Sequence, residues 1–240
     1  MATLASRIGG VLVGRLGMSR RSLNIIRHEV RTMRIAFGNM FNPRKRATIG
    51  RLQKSLELSV NIGSGGCGLP DWVNVDVSPG PNTTILLDIR KRLPFADGSV
   101  RRLFSEHVIE HLDFAEDIPN VFAEFHRVLA PGGVLRIIVP DAGRFLTAYV
   151  QKDRSQWQSL GWELDVFPAD IHSSMHVVNH IFHQGGEHLF GYDFDTMSLM
   201  LRKAGFKTVL QQPFGVSVDP ALAIDQEIHK HHSLYVDAVR

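Results

Sequence analysis

From residue 56 onward, short apolar runs alternate with longer stretches whose apolar residues recur every three or four positions. That alternation predicts an α/β sheet. Residues 58–62 and 72–77 read as strands, 84–87 lead into Asp88 as a third, and 100–105 form a fourth. The run "VLRIIV" (134–139) is the plainest buried strand, with Pro131-Gly132-Gly133 before it and Pro140-Asp141 after it. Ahead of it, Ile118, Val121, Phe122, Phe125, Val128 and Leu129 fall on one stripe of a helix, with Asp117 placed to cap its start and Pro119 in its first turn. A second helix is predicted from a cap at Asp195 through Met197, Met200 and Leu201 to Gly205. Strands at 206–210 and 233–239 follow it. Residues 150–192 have little periodicity and read as an insertion over one end of the sheet.

Charge divides the chain where the pattern does. Residues 1–54 hold twelve Lys or Arg against the single acid Glu29, a net +11, whereas the whole chain carries only +3. The predicted layout is therefore a basic N-terminal extension (1–55) ahead of one domain (56–240). For the extension, which includes Arg7, Arg15, Arg20, Arg21, Arg27, Arg31, Arg34, Arg44, Lys45 and Arg46, four readings stand. It is a solvated or partly helical segment beside the domain, a peripheral contact with anionic lipid, an organelle transit peptide, or a nucleic-acid contact. The last is disfavoured because only Phe37 and Phe41 accompany the cations as stacking surfaces. Cys67 is the one cysteine, so no intramolecular disulfide forms, which suits a reducing, cytoplasmic setting. No apolar run approaches the ~20 residues a membrane-spanning helix needs.

The chemistry begins at "VNIGSGGCGLPDWVNVD". Gly63, Gly65 and Gly68 match G-x-G-x-x-G directly after a strand, where absent side chains let backbone N–H groups approach a ligand. Asp76, at the end of the next strand, stands where a carboxylate accepts from ribose hydroxyls, or else is a turn residue ahead of Ser78-Pro79-Gly80. A dinucleotide site needs a full crossover helix after the turn, and its acid lies about 20 residues on. Here Pro70 intervenes and Asp76 follows too soon, so a nicotinamide oxidoreductase is the weaker reading.

Three segments, "VNIGSGGCGLPDWVNVD", "LLDIRKRLPFADGSVRRLFSEHVIEHL" and "VLAPGGVLRIIVPD", together resemble class I S-adenosylmethionine-dependent methyltransferases. The resemblance implies a Rossmann-like, seven-stranded, mostly parallel sheet with helices on both faces and an antiparallel last strand. It implies S-adenosylmethionine as cofactor, with Gly63, Ser64 and Gly65 under its methionine part and Asp76 on the ribose. Val77 would lie against the adenine, Asp88 and Ile89 beside it, and Ser105 and Glu106 near the sulfonium. Asn61 occupies a place where many such proteins carry an acid. Asp88 has a second reading, as a cap of the following turn or a partner of Arg90, Lys91 or Arg92. Cys67 reads as a small loop residue. Members of this group are linked to cell-surface polysaccharide or glycolipid assembly, which makes a glycan or other small-molecule hydroxyl the expected acceptor.

Hydroxyl methylation benefits from a general base, and histidine is suited to it near neutrality. His107 and His111, in "SEHVIEHL", are the first candidates; His111 also reads as structural, bonded to nearby backbone. A second group, His172, His176, His180, His183 and His188, lies in the insertion. Helical spacing of the first three raises metal ligation, but no cysteine or H-E-x-x-H signature accompanies them and no metal is assigned. His176 is instead expected to line an acceptor pocket. A non-catalytic relative that binds through its basic leader is the alternative of a different class.

Overall fold

The computed structural model describes residues 17, 19–162 and 171–240. Two leader helices, α1 (Arg20–Phe41) and α2 (Pro43–Leu52), share Asn42, whose side chain caps the second by accepting from the N–H groups of Arg44 and Lys45. The leader is thus helical from Arg20 onward, whereas Arg7 and Arg15 lie outside the described residues. The strands are β1 (Leu58–Ile62), β2 (Val73–Asp76), β3 (Thr83–Leu86), β4 (Val100–Glu106), β5 (Leu129–Pro140), β6 (Thr208–Gln212) and β7 (Ser233–Val239). They form one sheet in the order β3-β2-β1-β4-β5-β7-β6, parallel except for β7, which runs antiparallel to both neighbours. The expected seven-stranded sheet is present.

Side chains alternate across the sheet. Leu103, Leu135, Ile137 and Val139 join the main core, together with Val121, Phe122 and Phe125 of α3 (Ile118–Val128) and Met197 and Leu201 of α7 (Phe194–Lys203). Phe104, Val134 and Ile138 point the other way, onto Leu222, Phe214 and Ile224 of the segment between β6 and β7. That segment is held from beneath. Arg136, fully buried on β5, reaches Asp225 with Nε and Nη2 (2.6 Å each), and with Nη1 reaches Asp237 (2.9 Å) and the Val216 carbonyl (2.8 Å).

Three details differ from expectation. The α3 helix ends at Val128, so Leu129 already belongs to β5. Asp117 sits at its N-cap without capping through its side chain, which accepts instead from the Asp113 N–H. The α7 cap is Asp193, accepting from the Thr196 N–H, which places Asp195 inside the first turn. Helix α4 (Ala142–Gln151) leads into the stretch read as an insertion, whose described residues hold two further short helices, α5 (Arg154–Ser159) and α6 (Ser174–His183). Each supplies only a few apolar anchors, including Phe145, Trp157, Val177 and Ile181, to a small core of their own. Their apolar residues are few and serve this separate core, so no long stripe marks them in the sequence.

Candidate active site

The β1–β2 connection crosses between parallel strands without a helix, and one residue replaces what the helix would have fixed. Asn74, 1% exposed on β2, accepts from the Leu69 N–H (2.8 Å) and the Asn61 amide (3.1 Å). Its own amide donates to the carbonyls of Leu69, Trp72 and Asn82. A buried polar side chain with every group satisfied stiffens its surroundings. Here that fixes the glycine loop. The signal was present in the sequence as an Asn between two valines of a strand, and sequence reasoning passed over it.

On this support the glycine turn adopts backbone that side chains disfavour. Gly63 has φ +68°, and a Cβ there would stand 2.1 Å from Cγ2 of Val108. The Gly65 N–H donates to Oδ2 of Asp76 (2.8 Å), and the Ser78 N–H donates to Oδ1 (2.6 Å). A carboxylate has about four lone-pair sites, so two backbone donors leave capacity for two hydroxyls. Ser64 is buried, and its hydroxyl has no hydrogen-bond partner among the described residues. Together with Gly63, Gly65, Cys67, Phe104 and Glu106 it lines a cavity of about 170 Å3 at the carboxyl ends of the strands. An orphaned hydroxyl in a cavity wall is the feature expected of a floor beneath a polar ligand.

Glu106 closes the far wall. It is buried, and its two oxygens accept from the Gln226 backbone N–H (3.1 Å) and side-chain amide (2.9 Å). Burial pushes its carboxyl above the usual range, against the pull of those hydrogen bonds. The Cys67 thiol reaches Oε1 of the same Gln226 (3.2 Å), joining the glycine loop to the β6–β7 segment. Ser105, just before Glu106, is fully buried with its hydroxyl unpartnered among the described residues.

Asp88 has taken the second of its two readings. It is buried, and burial alone would raise its carboxyl. The Arg90 guanidinium and N–H outweigh that and hold it below the usual carboxylate range. Arg90 Nε contacts both oxygens (3.0 and 3.1 Å), and its Nη2 bridges to Glu29 of α1 (3.1 Å). Ile89 beside it is buried and Val77 half-buried.

Beside the cavity, the chain turns sharply at His107, whose φ is +53°. Its Nδ1 lies 3.1 Å from Oε1 of Glu110, a carboxyl only 1% exposed, and its Nε2 lies 3.0 Å from the Ser233 hydroxyl. The ring stacks on His229 (centroids 3.8 Å apart, planes 28° apart), and His229 Nδ1 is 3.3 Å from His232 Nε2. Burial first, then the neighbouring imidazoles, lower both His229 and His232 to about 4. One ligand-capable nitrogen of each of the three lies within 4.8 Å of the others. Near-parallel stacking of His107 on His229 keeps their in-plane lone pairs from converging on one ion, so the cluster as it stands is a hydrogen-bonded one. Sequence reasoning missed His229, His232 and Ser233 because they meet His107 only through the fold, and it passed over Glu110, which stands three residues along the same motif.

His111 is exposed and bonds the Glu187 carbonyl through Nδ1 (3.0 Å), the structural reading. His188 is buried with Nδ1 on the Ile181 carbonyl. His176 lies on α6, where its Nδ1 accepts from the His172 N–H (3.3 Å) and its own N–H meets the Ser173 cap. No contact among the described residues brings it to the cavity.

The glycine turn, the acid closing β2 and the sheet with its reversed seventh strand coincide with one further finding: residues 73–137 match the family described as a methyltransferase domain. Over that stretch the chain is similar to a methyltransferase domain. The wall of Gly63, Ser64 and Gly65, with its unpartnered hydroxyl, is compatible with the S-adenosylmethionine that the sequence resemblance implies. Solved structures similar to the chain include three methyltransferases. One is an S-adenosylmethionine-dependent methyltransferase from Mesorhizobium loti (19% identity, 82% of this chain and 97% of that one, TM-score 0.45). Another is from Archaeoglobus fulgidus (12% identity, 85% and 98%, TM-score 0.45). The third is the Burkholderia thailandensis 1,6-didemethyltoxoflavin-N1-methyltransferase with bound 1,6-didemethyltoxoflavin and S-adenosylhomocysteine (10% identity, 93% and 91%, TM-score 0.45). None of these likenesses says what this chain acts on. No curated protein matches the chain.

Proposed function

We propose that this methyltransferase O-methylates a hydroxyl of a small-molecule or glycan acceptor, in the cytoplasm, with the acceptor entering on the His107 side of the cavity. The observation that carries the reading is the His107–Glu110 pair standing next in the chain to the cavity wall at Glu106. When bound, S-adenosylmethionine supplies a methyl group already activated by its positively charged sulfur. Gly63, Ser64 and Gly65 would hold its methionine part and Asp76 its ribose. Asn61 and Ser105 belong to this frame as supports of the loop and of the floor. Asp88 acts differently from the first expectation. With its oxygens engaged by Arg90, it ties the adenine side to the leader through Glu29 and leaves the adenine's own contacts to Val77 and Ile89.

On the acceptor side, the Glu110 carboxyl stands 3.1 Å from Nδ1 of His107 and so favours the tautomer with its proton there and a lone pair at Nε2. The Ser233 hydroxyl marks where an O–H donor meets that nitrogen. His107 takes the acceptor's hydroxyl proton there, leaving the oxygen as the nucleophile. His229 and His232, held neutral, put no competing positive charge beside the proton being transferred. Closure by Gln226 across the cavity keeps water from it.

The test is turnover against a panel of glycan and small hydroxyl acceptors, comparing the wild type with His107→Ala and Glu110→Gln. His107→Ala should lose about 10²-fold or more in kcat while cofactor affinity holds, the size expected for a general base. A variant that turns over normally would sink the base assignment, and transfer to amines alone would sink the acceptor class.

A further inference from the structure

Helix α1 is amphipathic with its apolar side turned away from the protein. Toward the body it sends Ile35 and Thr32, both buried, and Asn39, whose amide donates to the Leu86 carbonyl (2.9 Å). Arg31 donates to the Ser78 hydroxyl (2.7 Å), and Glu29 meets Arg90. On the opposite side Ile26, Val30, Met33, Phe37 and Met40 repeat at i, i+4, i+7, i+11 and i+14, and all are exposed, Met33, Phe37 and Met40 by 64–69%. This is a continuous stripe of large side chains in water, which a globular surface rarely shows without a partner. Where α1 meets α2 the stripe runs into a groove of about 610 Å3 lined by Met40, Phe41, Ile49 and Arg46.

Charge decides among the surfaces that could cover it. Between Arg20 and Leu52 there are nine Lys or Arg and a single acid, Glu29, which is already paired with Arg90. A second copy laid along the stripe would bring an equally basic helix against this one, with no acid on that helix beyond the already paired Glu29 to offset its charge. A lipid surface of negative charge answers both faces of the problem. Apolar side chains enter the acyl boundary while flanking arginines meet phosphate headgroups.

We infer that the outward face of α1, continued by Arg44, Lys45 and Arg46 of the next helix, docks the methyltransferase on an anionic membrane surface. The inference stands apart from the acceptor assignment and needs neither cofactor nor acceptor to test. No described helix is long and apolar enough to cross a membrane, so the attachment is peripheral. Because the same helix contacts Ser78, Leu86 and Arg90 on its inner side, docking also sets the adenine edge of the cofactor site at the membrane face.

Full-length protein would be sedimented with vesicles of phosphatidylcholine alone and of phosphatidylcholine mixed with phosphatidylglycerol. Binding is expected to the mixed vesicles, weakened by salt, and reduced about tenfold or more in Met33→Glu/Phe37→Glu. Both positions are exposed, so the melting temperature of this variant should match the wild type. A milder Phe37→Ser gives a second reading should that pair perturb folding. Indifference to anionic lipid, or equal binding by wild type and variants, would overturn the inference. So would a wild-type dimer in solution that these substitutions dissolve, because a second copy would then be the partner.

Discussion

The two sides of the cavity are built on opposite plans. The glycine side is made of backbone and short polar side chains held by neighbours in sequence: Gly65 to Asp76, Ser78 to Asp76, Asn74 to Leu69. The histidine side is made of large side chains drawn from distant places, with His107 meeting Ser233 and His229, and Glu106 meeting Gln226. A surface of local amides is rigid by construction, and suits a cofactor that is always the same. A surface assembled from remote loops depends on whatever pins those loops, and can differ with the acceptor it serves.

The pin is Arg136, and removing it should break the comparison most severely. Arg136→Leu would leave Asp225 and Asp237 buried without a counter-charge, at a cost of about 3–5 kcal/mol. Urea denaturation should show a loss of that order, and the glycine side should suffer with the rest because β5 carries the arginine. A variant as stable as the wild type would mean that the β6–β7 segment is not held through this network.

A smaller effect comes from the other side. Gly63→Ala places a side chain on left-handed backbone against Val108, worth about 1–3 kcal/mol of strain. Calorimetric titration should show weaker cofactor binding, while the ring contacts of His107, followed by NMR, stay as they were. Equal damage to both sides would show that they are one cooperative unit rather than two.

The most delicate test uses pH. His229 and His232 have folded-state values near 4 against 6.5 when unfolded, so the unfolded chain binds more protons between those limits. Stability from this pair is therefore complete above about pH 6.5 and declines as pH falls toward 4. Urea midpoints across that window should slope, and His232→Gln should flatten the slope. An unchanged slope would place the acid sensitivity elsewhere.

The same contrast governs what could be read in the sequence. Gly63, Gly65 and Asp76 were legible because the elements that bring them together adjoin in the chain, and a strand, a turn and an acid leave a local pattern. The sheet was legible for the same reason, through its apolar runs. His107 was visible as a candidate, but its partners were not. Ser233 and His229, from the far end of the chain, reach it only once β7 pairs with β5. Asp88 shows the limit from the other direction. Its position suggested either a ligand role or a pairing with a nearby arginine, and only the structure singles out the bidentate hold of Arg90. The outward apolar stripe of α1 was spelled out in residues 26–40, hidden by the arginines that flank it.

The central claim is that the glycine turn and Asp76 form an S-adenosylmethionine site. Its most direct test is calorimetric titration with S-adenosylhomocysteine, comparing the wild type with Asp76→Ala and Asp76→Asn. Saturable binding to the wild type, weakened about tenfold or more in Asp76→Ala and less in Asp76→Asn, is the predicted result, since two charge-assisted hydrogen bonds to ribose would be lost. Undiminished binding by a folded Asp76→Ala protein would contradict it and place the nucleoside elsewhere.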